Sequence, residues 1–141
     1  MYPEDLVGPM RQELVALGFV EIRTSSDVER ELNDRSGTAL VAVNSVCGCA
    51  AGNFRPGIAQ ALQHVADTGQ PDKLLTAFAG NDKEAVQVVR SEYLTGIPAS
   101  SPCAALLKDG EVVAMLERKD IEGHSPEQVS ARLISAFEEH C

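Results

Sequence analysis

Apolar residues recur along the chain in two ways: at every third or fourth position in some stretches, and as unbroken β-branched runs in others. Leu6, Met10, Leu14 and Leu17 keep helical spacing across 1–18 and predict a first helix, with Gly18 as its stop. Residues 19–22 form a short strand candidate. Ser25 or Ser26 is placed to cap a helix through Leu32, with Val28 and Leu32 inward and Ser36-Gly37 closing it. Thr38–Asn44 is apolar on both faces, the mark of a central strand covered on both sides.

Beyond Cys49 the pattern predicts a helix to about Ala66. Its stripe is Ile58, Leu62 and Val65, and Pro56 sits inside it as a kink. Gly69-Gln70-Pro71 reads as a loop and 73–80 as the next strand. Asp82 is a cap candidate for a helix carrying Val86, Val89 and Tyr93. Residues 95–102 hold two prolines and several small residues and read as a loop. The apolar runs 103–107 and 111–116 flank Lys108-Asp109-Gly110, and Asp-Gly between such runs signals a hairpin. Ser125-Pro126-Glu127-Gln128 starts a last helix, with Val129, Leu133, Ile134 and Phe137 inward. Strands alternating with helices imply an α/β layer structure with parallel pairs, and the hairpin makes the sheet mixed. No repeat or low-complexity segment interrupts the 141 residues, so one domain over 1–141 is expected.

Composition narrows the function classes. Hydrophobic residues make up 44% of the chain, enough for an ordinary core. The formal charge is −9, from 12 basic and 21 acidic residues without a basic cluster, which argues against a nucleic-acid partner. No apolar run reaches the length of a membrane span, and the acidic start Met1-Tyr2-Pro3-Glu4-Asp5 is unlike a signal peptide. A cytoplasmic protein is expected. In that setting four cysteines point to reactive or metal-binding thiols more than to structural disulfides.

The chemistry concentrates in Cys47-Gly48-Cys49, between the central strand and the small residues Ala50-Ala51-Gly52 that open the next helix. A thiol at a helix N-terminus is biased toward thiolate by the helix dipole and free N–H groups, and the thiolate is the nucleophile of disulfide exchange. A one-residue spacer closes a small ring when the two sulfurs join, and Gly48 is the residue best suited to an unusual backbone there. The residues leave a second reading open. Cys47, Cys49 and Cys103 would make three thiolate ligands for a metal, with His124 as a fourth. Arg55 lies within two turns of the thiols. It reads either as a charge for the Cys47 thiolate or for the carboxylates of a small thiol, or as a solvated helix charge. His64, His140 and Cys141 read as surface residues.

The strand–thiol turn–helix order resembles the thioredoxin fold. So does Pro102 followed by Cys103-Ala104-Ala105-Leu106-Leu107 and Lys108-Asp109-Gly110-Glu111. The resemblance implies a mixed central sheet flanked by helices, here with an extra N-terminal helix. It also implies a cis bond before Pro102, which would face the thiols. Four segments look like the bacilliredoxin family. They are Val43-Asn44-Ser45-Val46-Cys47-Gly48-Cys49-Ala50-Ala51-Gly52 with Arg55-Pro56, Phe78-Ala79-Gly80-Asn81-Asp82-Lys83-Glu84-Ala85, Pro98-Ala99-Ser100-Ser101-Pro102, and Glu117-Arg118-Lys119-Asp120-Ile121-Glu122-Gly123-His124. The resemblance covers essentially the whole chain.

That resemblance implies removal of bacillithiol from mixed disulfides on protein cysteines, with Cys47 attacking and Cys49 resolving. Disulfide isomerase activity is implied beside it. The expected partners are bacillithiolated or disulfide-containing cytoplasmic proteins and bacillithiol itself, with no tightly bound cofactor. Gly48, Arg55, Ser101 and Pro102 are the expected supporting residues, Ser101 and Pro102 forming a docking edge. Cys103 stands where the family pattern suggests serine. It reads as a small strand residue, with a modulatory role beside the thiols as the sharper reading.

Overall fold

The computed structural model describes all 141 residues. Helix α1 spans Glu4–Val15, strand β1 Val20–Glu21, helix α2 Ser25–Leu32 and strand β2 Thr38–Asn44. A π-helical turn, Ala50–Phe54, runs directly into α3, Arg55–Val65. Then come β3 Lys73–Phe78, α4 Lys83–Glu92, β4 Cys103–Lys108, β5 Glu111–Leu116, α5 Arg118–Ile121 and α6 Pro126–His140. The sheet order is β1-β3-β2-β4-β5. Strand β3 runs parallel to β1 and β2, while β4 is antiparallel to β2 and β5, so the sheet is mixed as the element order predicts.

Every residue of β2 is buried. Leu40 and Ala42 pack with Ile58, Leu62, Leu133 and Phe137 of α3 and α6 on one face. Ala39, Val41 and Val43 pack with Val28, Val86 and Val89 of α2 and α4 on the other. Helix α3 meets α6 closely because Gly57 carries no side chain: a Cβ there would lie 2.6 Å from Val129 Cγ1 and 3.1 Å from the Pro126 carbonyl. The hairpin turn places Asp109 at φ 52° and Gly110 at φ 83°, the paired left-handed conformations that Asp-Gly favours. Ser125 caps α6, its hydroxyl accepting the Gln128 N–H and the Gln128 side chain accepting the Ser125 N–H.

Several local expectations shift. In α1 the inward line is Val7, Arg11 and Leu14, while Leu6 is 48% exposed. Arg11 turns inward because the Asp82 carboxylate receives both of its terminal nitrogens, at 2.7 and 2.8 Å, and its guanidinium lies over the Phe78 ring. Asp82 sits at the N-cap of α4 but makes no capping bond, since its carboxylate takes Arg11 and the Phe78 N–H instead. The cap of α2 is Thr24, one residue before the serines, in a reciprocal box with Asp27. Pro56 does not kink a helix interior. The π turn ends with the Arg55 N–H on the Ala50 carbonyl, and Pro56 falls in the first turn of α3, where a missing N–H costs little. Helix α5, held by a capping box between Glu117 and Asp120, is too short for periodicity to predict.

Candidate active site

Strand β2 ends at Asn44, and the chain turns through Ser45, Val46 and Cys47 into a helical segment that begins at Gly48. Cys47 heads that segment, its carbonyl accepting the N–H of Ala50 at 3.0 Å and of Ala51 at 3.3 Å. The Ala50 N–H also points at the Cys47 sulfur, 3.3 Å away. N–H groups at a helix start favour negative charge, and this one, shared between the Cys47 carbonyl and its sulfur, supports a thiolate when the sulfur is reduced. Cys47 and Cys49 are joined as a disulfide, with Cα atoms 5.4 Å apart. Both cysteines are half-buried against the α3–α6 face, and Gly48 between them is exposed.

The turn rests on a buried polar lattice. Asn44 Oδ1 accepts the Ser45 N–H and an Arg55 terminal nitrogen, both at 2.9 Å, and Asn44 Nδ2 donates to the Met10 carbonyl of α1. The same Arg55 nitrogen donates to the Ser45 carbonyl at 3.1 Å, and the Ser45 hydroxyl accepts the Cys47 N–H at 3.2 Å. Arg55 Nε lies 3.2 Å from the Glu13 carboxylate but is not aligned to donate to it. With only 3% of its surface exposed, Arg55 is neither a solvated charge nor free to meet a substrate carboxylate. It holds the polypeptide beneath the thiols, and the signal that would have found it is Asn44, a polar residue ending an otherwise apolar strand.

Gly48 also departs from expectation. Its φ lies outside the left-handed region, and a Cβ built there would meet nothing within 4 Å. Neither a left-handed backbone nor crowding by other residues calls for glycine at this position. Ser101–Pro102 is a cis peptide, half-buried at Ser101 and buried at Pro102. Cys103 pairs with Val43 across β2 and β4, which sets Ser101-Pro102 level with the start of the thiol turn.

Cys103 itself packs with Val41, Val43 and Val86, on the sheet face opposite the one against which Cys47 and Cys49 pack. Burial pushes its thiol up to about 11, with Glu117 adding to the rise and Arg90 opposing it. That environment suits an inert neutral thiol. The metal reading loses its third ligand there, for no three His, Cys, Asp or Glu side chains converge on a point where they could hold an ion. His124 is exposed, its ring beside the Glu122 carbonyl, and Cys141 is exposed at the chain end. No helix is long and apolar enough to cross a membrane.

Residues 2–141 match a sequence-family profile described as disulphide isomerase. A bacilliredoxin of Geobacillus kaustophilus (strain HTA426) is 51% identical over 140 residues, covering 99% of this chain and 94% of its own. A bacilliredoxin of Koribacter versatilis (strain Ellin345) is 45% identical over 141 residues, covering 100% and 94%. Among solved structures, the thioredoxin of Fasciola hepatica superposes with a TM-score of 0.58 at 15% identity, covering 86% of this chain and 98% of its own. Mitochondrial thioredoxin 3 of Saccharomyces cerevisiae gives 0.55 at 11% identity, covering 87% and 96%. These structures share the fold: the architecture is thioredoxin-like, with α1 as an N-terminal helix before the sheet.

Proposed function

The chain belongs to the bacilliredoxin family, and from that premise we propose that it removes bacillithiol from mixed disulfides on protein cysteines. It is a thiol–disulfide oxidoreductase. The observation that carries the finer reading is the Ala50 N–H directed at the Cys47 sulfur, with the Cys49 sulfur bonded to it across the single residue Gly48.

In this reading the Cys47 thiolate attacks the bacillithiol sulfur of the mixed disulfide. A new Cys47–bacillithiol disulfide forms, the old S–S bond breaks, and the target protein leaves as a thiolate. The Ala50 N–H, 3.3 Å from the attacking sulfur, donates to the negative charge it carries. The Cys49 thiolate then attacks Cys47, forming the Cys47–Cys49 disulfide and releasing bacillithiol as a thiolate. Alternatively a second bacillithiol thiolate attacks the bound bacillithiol sulfur, freeing Cys47 and leaving bacillithiol disulfide. Either route needs no resident cofactor. The partners are bacillithiolated cytoplasmic proteins and bacillithiol.

The test is release of bacillithiol from a modified protein, followed by mass spectrometry. Cys47→Ser should drop release to the uncatalysed rate. Cys49→Ser should keep the first step and accumulate a bacillithiol adduct on Cys47. If Cys49→Ser is inactive and Cys47→Ser is not, the roles are reversed. If the unmodified protein releases no bacillithiol, the reading fails. Isomerisation of misoxidised protein disulfides is the second reading, favoured by the description of the matching family. The same Cys47 attack would serve it, with a protein sulfur in place of bacillithiol.

A further inference from the structure

At the same end of the sheet as the thiol turn, on the α4 side of the sheet, lies an open cleft of about 700 Å³. Its floor follows one side of α4 through Lys83, Gln87 and Arg90, and its rim is Gly80 on one side and Ser101 on the other. Two connections tie it to the reacting end of the molecule. Ala79, where the chain leaves β3, donates its N–H to the Asn44 carbonyl at the last residue of β2. Ser101 precedes the proline that stands level with the thiol turn.

The electrostatics of this cleft run against those of the chain. The net charge is −9, yet no Asp or Glu lines the cleft and two cations do. Elsewhere most basic side chains are neutralised: Arg11, Arg23, Arg30, Arg55, Arg118, Lys119 and Arg132 all lie within ion-pair distance of a carboxylate. Lys83 and Arg90 have no such partner. Arg90 is braced by one nitrogen, which donates to the Ser100 carbonyl at 3.0 Å and so aims the guanidinium along the loop toward Ser101. Two unpaired cations, one of them braced, in a concave, acid-free surface form a receptor for carboxylates.

We propose that this cleft holds the carboxylate-bearing part of the small thiol while Cys47 attacks its sulfur, with Lys83 and Arg90 as the carboxylate-binding residues. The assignment rests on the exchange reading above and supplies its specificity: Arg55, buried beneath the turn, is not available for that role. Binding through these two residues adds affinity for the small-thiol half of a mixed disulfide. It leaves the sulfur chemistry to Cys47, so KM and kcat should separate.

The test compares one protein loaded with bacillithiol, glutathione or cysteamine as mixed disulfides, cysteamine lacking any carboxylate. Lys83→Gln/Arg90→Gln should raise KM for the bacillithiol conjugate about tenfold, as loss of charged hydrogen bonds predicts, with kcat within about a factor of two. It should leave the cysteamine conjugate unchanged. Lys83→Gln alone, which removes no bond to the loop, should raise KM in the same direction, and high salt should weaken the wild type toward the variant. Equal changes for the bacillithiol and cysteamine conjugates, or no change in either, overturn the proposal. So does a KM rise confined to the glutathione conjugate. If the wild type processes none of the conjugates, the exchange reading fails. The cleft is then judged by titration with S-methyl bacillithiol, an unreactive thioether, monitored by NMR. Shifts confined to α4 and Ser101 in the wild type and lost in the double variant uphold it, and shifts elsewhere or none overturn it.

Discussion

The Cys47 sulfur meets a backbone N–H at the head of a helical segment, whereas the Cys103 sulfur is sealed into the packed face between the sheet and α2 and α4. One residue type is therefore set for two fates by its surroundings. For Cys103 the consequence is measurable. Its folded pKa of about 11 lies above the ordinary 9.0, so the native state holds the proton more tightly than the unfolded chain. The associated stability is fully present below about pH 9 and is lost as pH rises toward 11, by roughly 2 to 3 kcal/mol. Denaturant unfolding at pH 8 and pH 11 should show this loss in the wild type and a smaller one in Cys103→Ala. Equal losses would assign the effect to other groups. The Cys47-Gly48-Cys49 motif was legible because strand, turn and helix start are local signals. The buried fate of Cys103 was only half legible: its strand was clear, but the face it occupies depends on which helices cover that strand.

At the level of elements, the sharpest constraint is the crossing of α3 and α6. Alanine at position 57 gains up to about 1 kcal/mol of helix propensity, but its methyl would press on two atoms of Val129 at 2.6 and 2.8 Å and on a backbone carbonyl. Overpacking of this kind costs about 1–3 kcal/mol, so Gly57→Ala should be destabilising overall, by about 1 kcal/mol or more in a denaturant titration. Pairing Gly57→Ala with Val129→Ala should recover part of it, since the space is then shared. Hairpin and final helix were readable because their turn and cap residues act within four positions. The π turn was not, since it accommodates Pro56 within a helix by shifting one hydrogen bond, a choice no apolar period records.

Across the whole molecule, α1 is secured to the sheet by charge. Arg11 of α1 bonds Asp82 at the start of α4, and Glu4 and Glu21 crowd the same guanidinium. Both partners of the Arg11–Asp82 pair are buried; without Asp82 the guanidinium keeps only the more exposed Glu4 and Glu21 and the Phe78 N–H loses its acceptor, at a cost of about 2–3 kcal/mol. Asp82→Ala should lower stability by about that amount. Arg11→Met/Asp82→Leu, which removes both charges and restores apolar volume, should recover much of the loss in thermal or denaturant unfolding. A double variant no more stable than Asp82→Ala would count against the pairing. Separately, the Met10 carbonyl of α1 accepts from Asn44 and its Glu13 lies against Arg55, the two residues that floor the thiol turn. The helix added before the sheet is thus coupled to the reacting end.

By itself the sequence determined the kinds of element, the hairpin, the cap of α6 and the place of the two cysteines that pair. Each of these follows from residues a few positions apart: apolar spacing, Asp-Gly, Ser-Pro, and a Cys pair at a strand-to-helix turn. Tertiary structure alone decided that Arg11 and Arg55 lie inside, that Gly48 takes no left-handed backbone, and that Lys83 and Arg90 share an acid-free cleft. Burial and charge pairing are set by partners as far apart as Arg11 and Asp82, 71 residues along the chain. A cation on a helix reads the same in sequence whether water, a carboxylate or an open cleft awaits it.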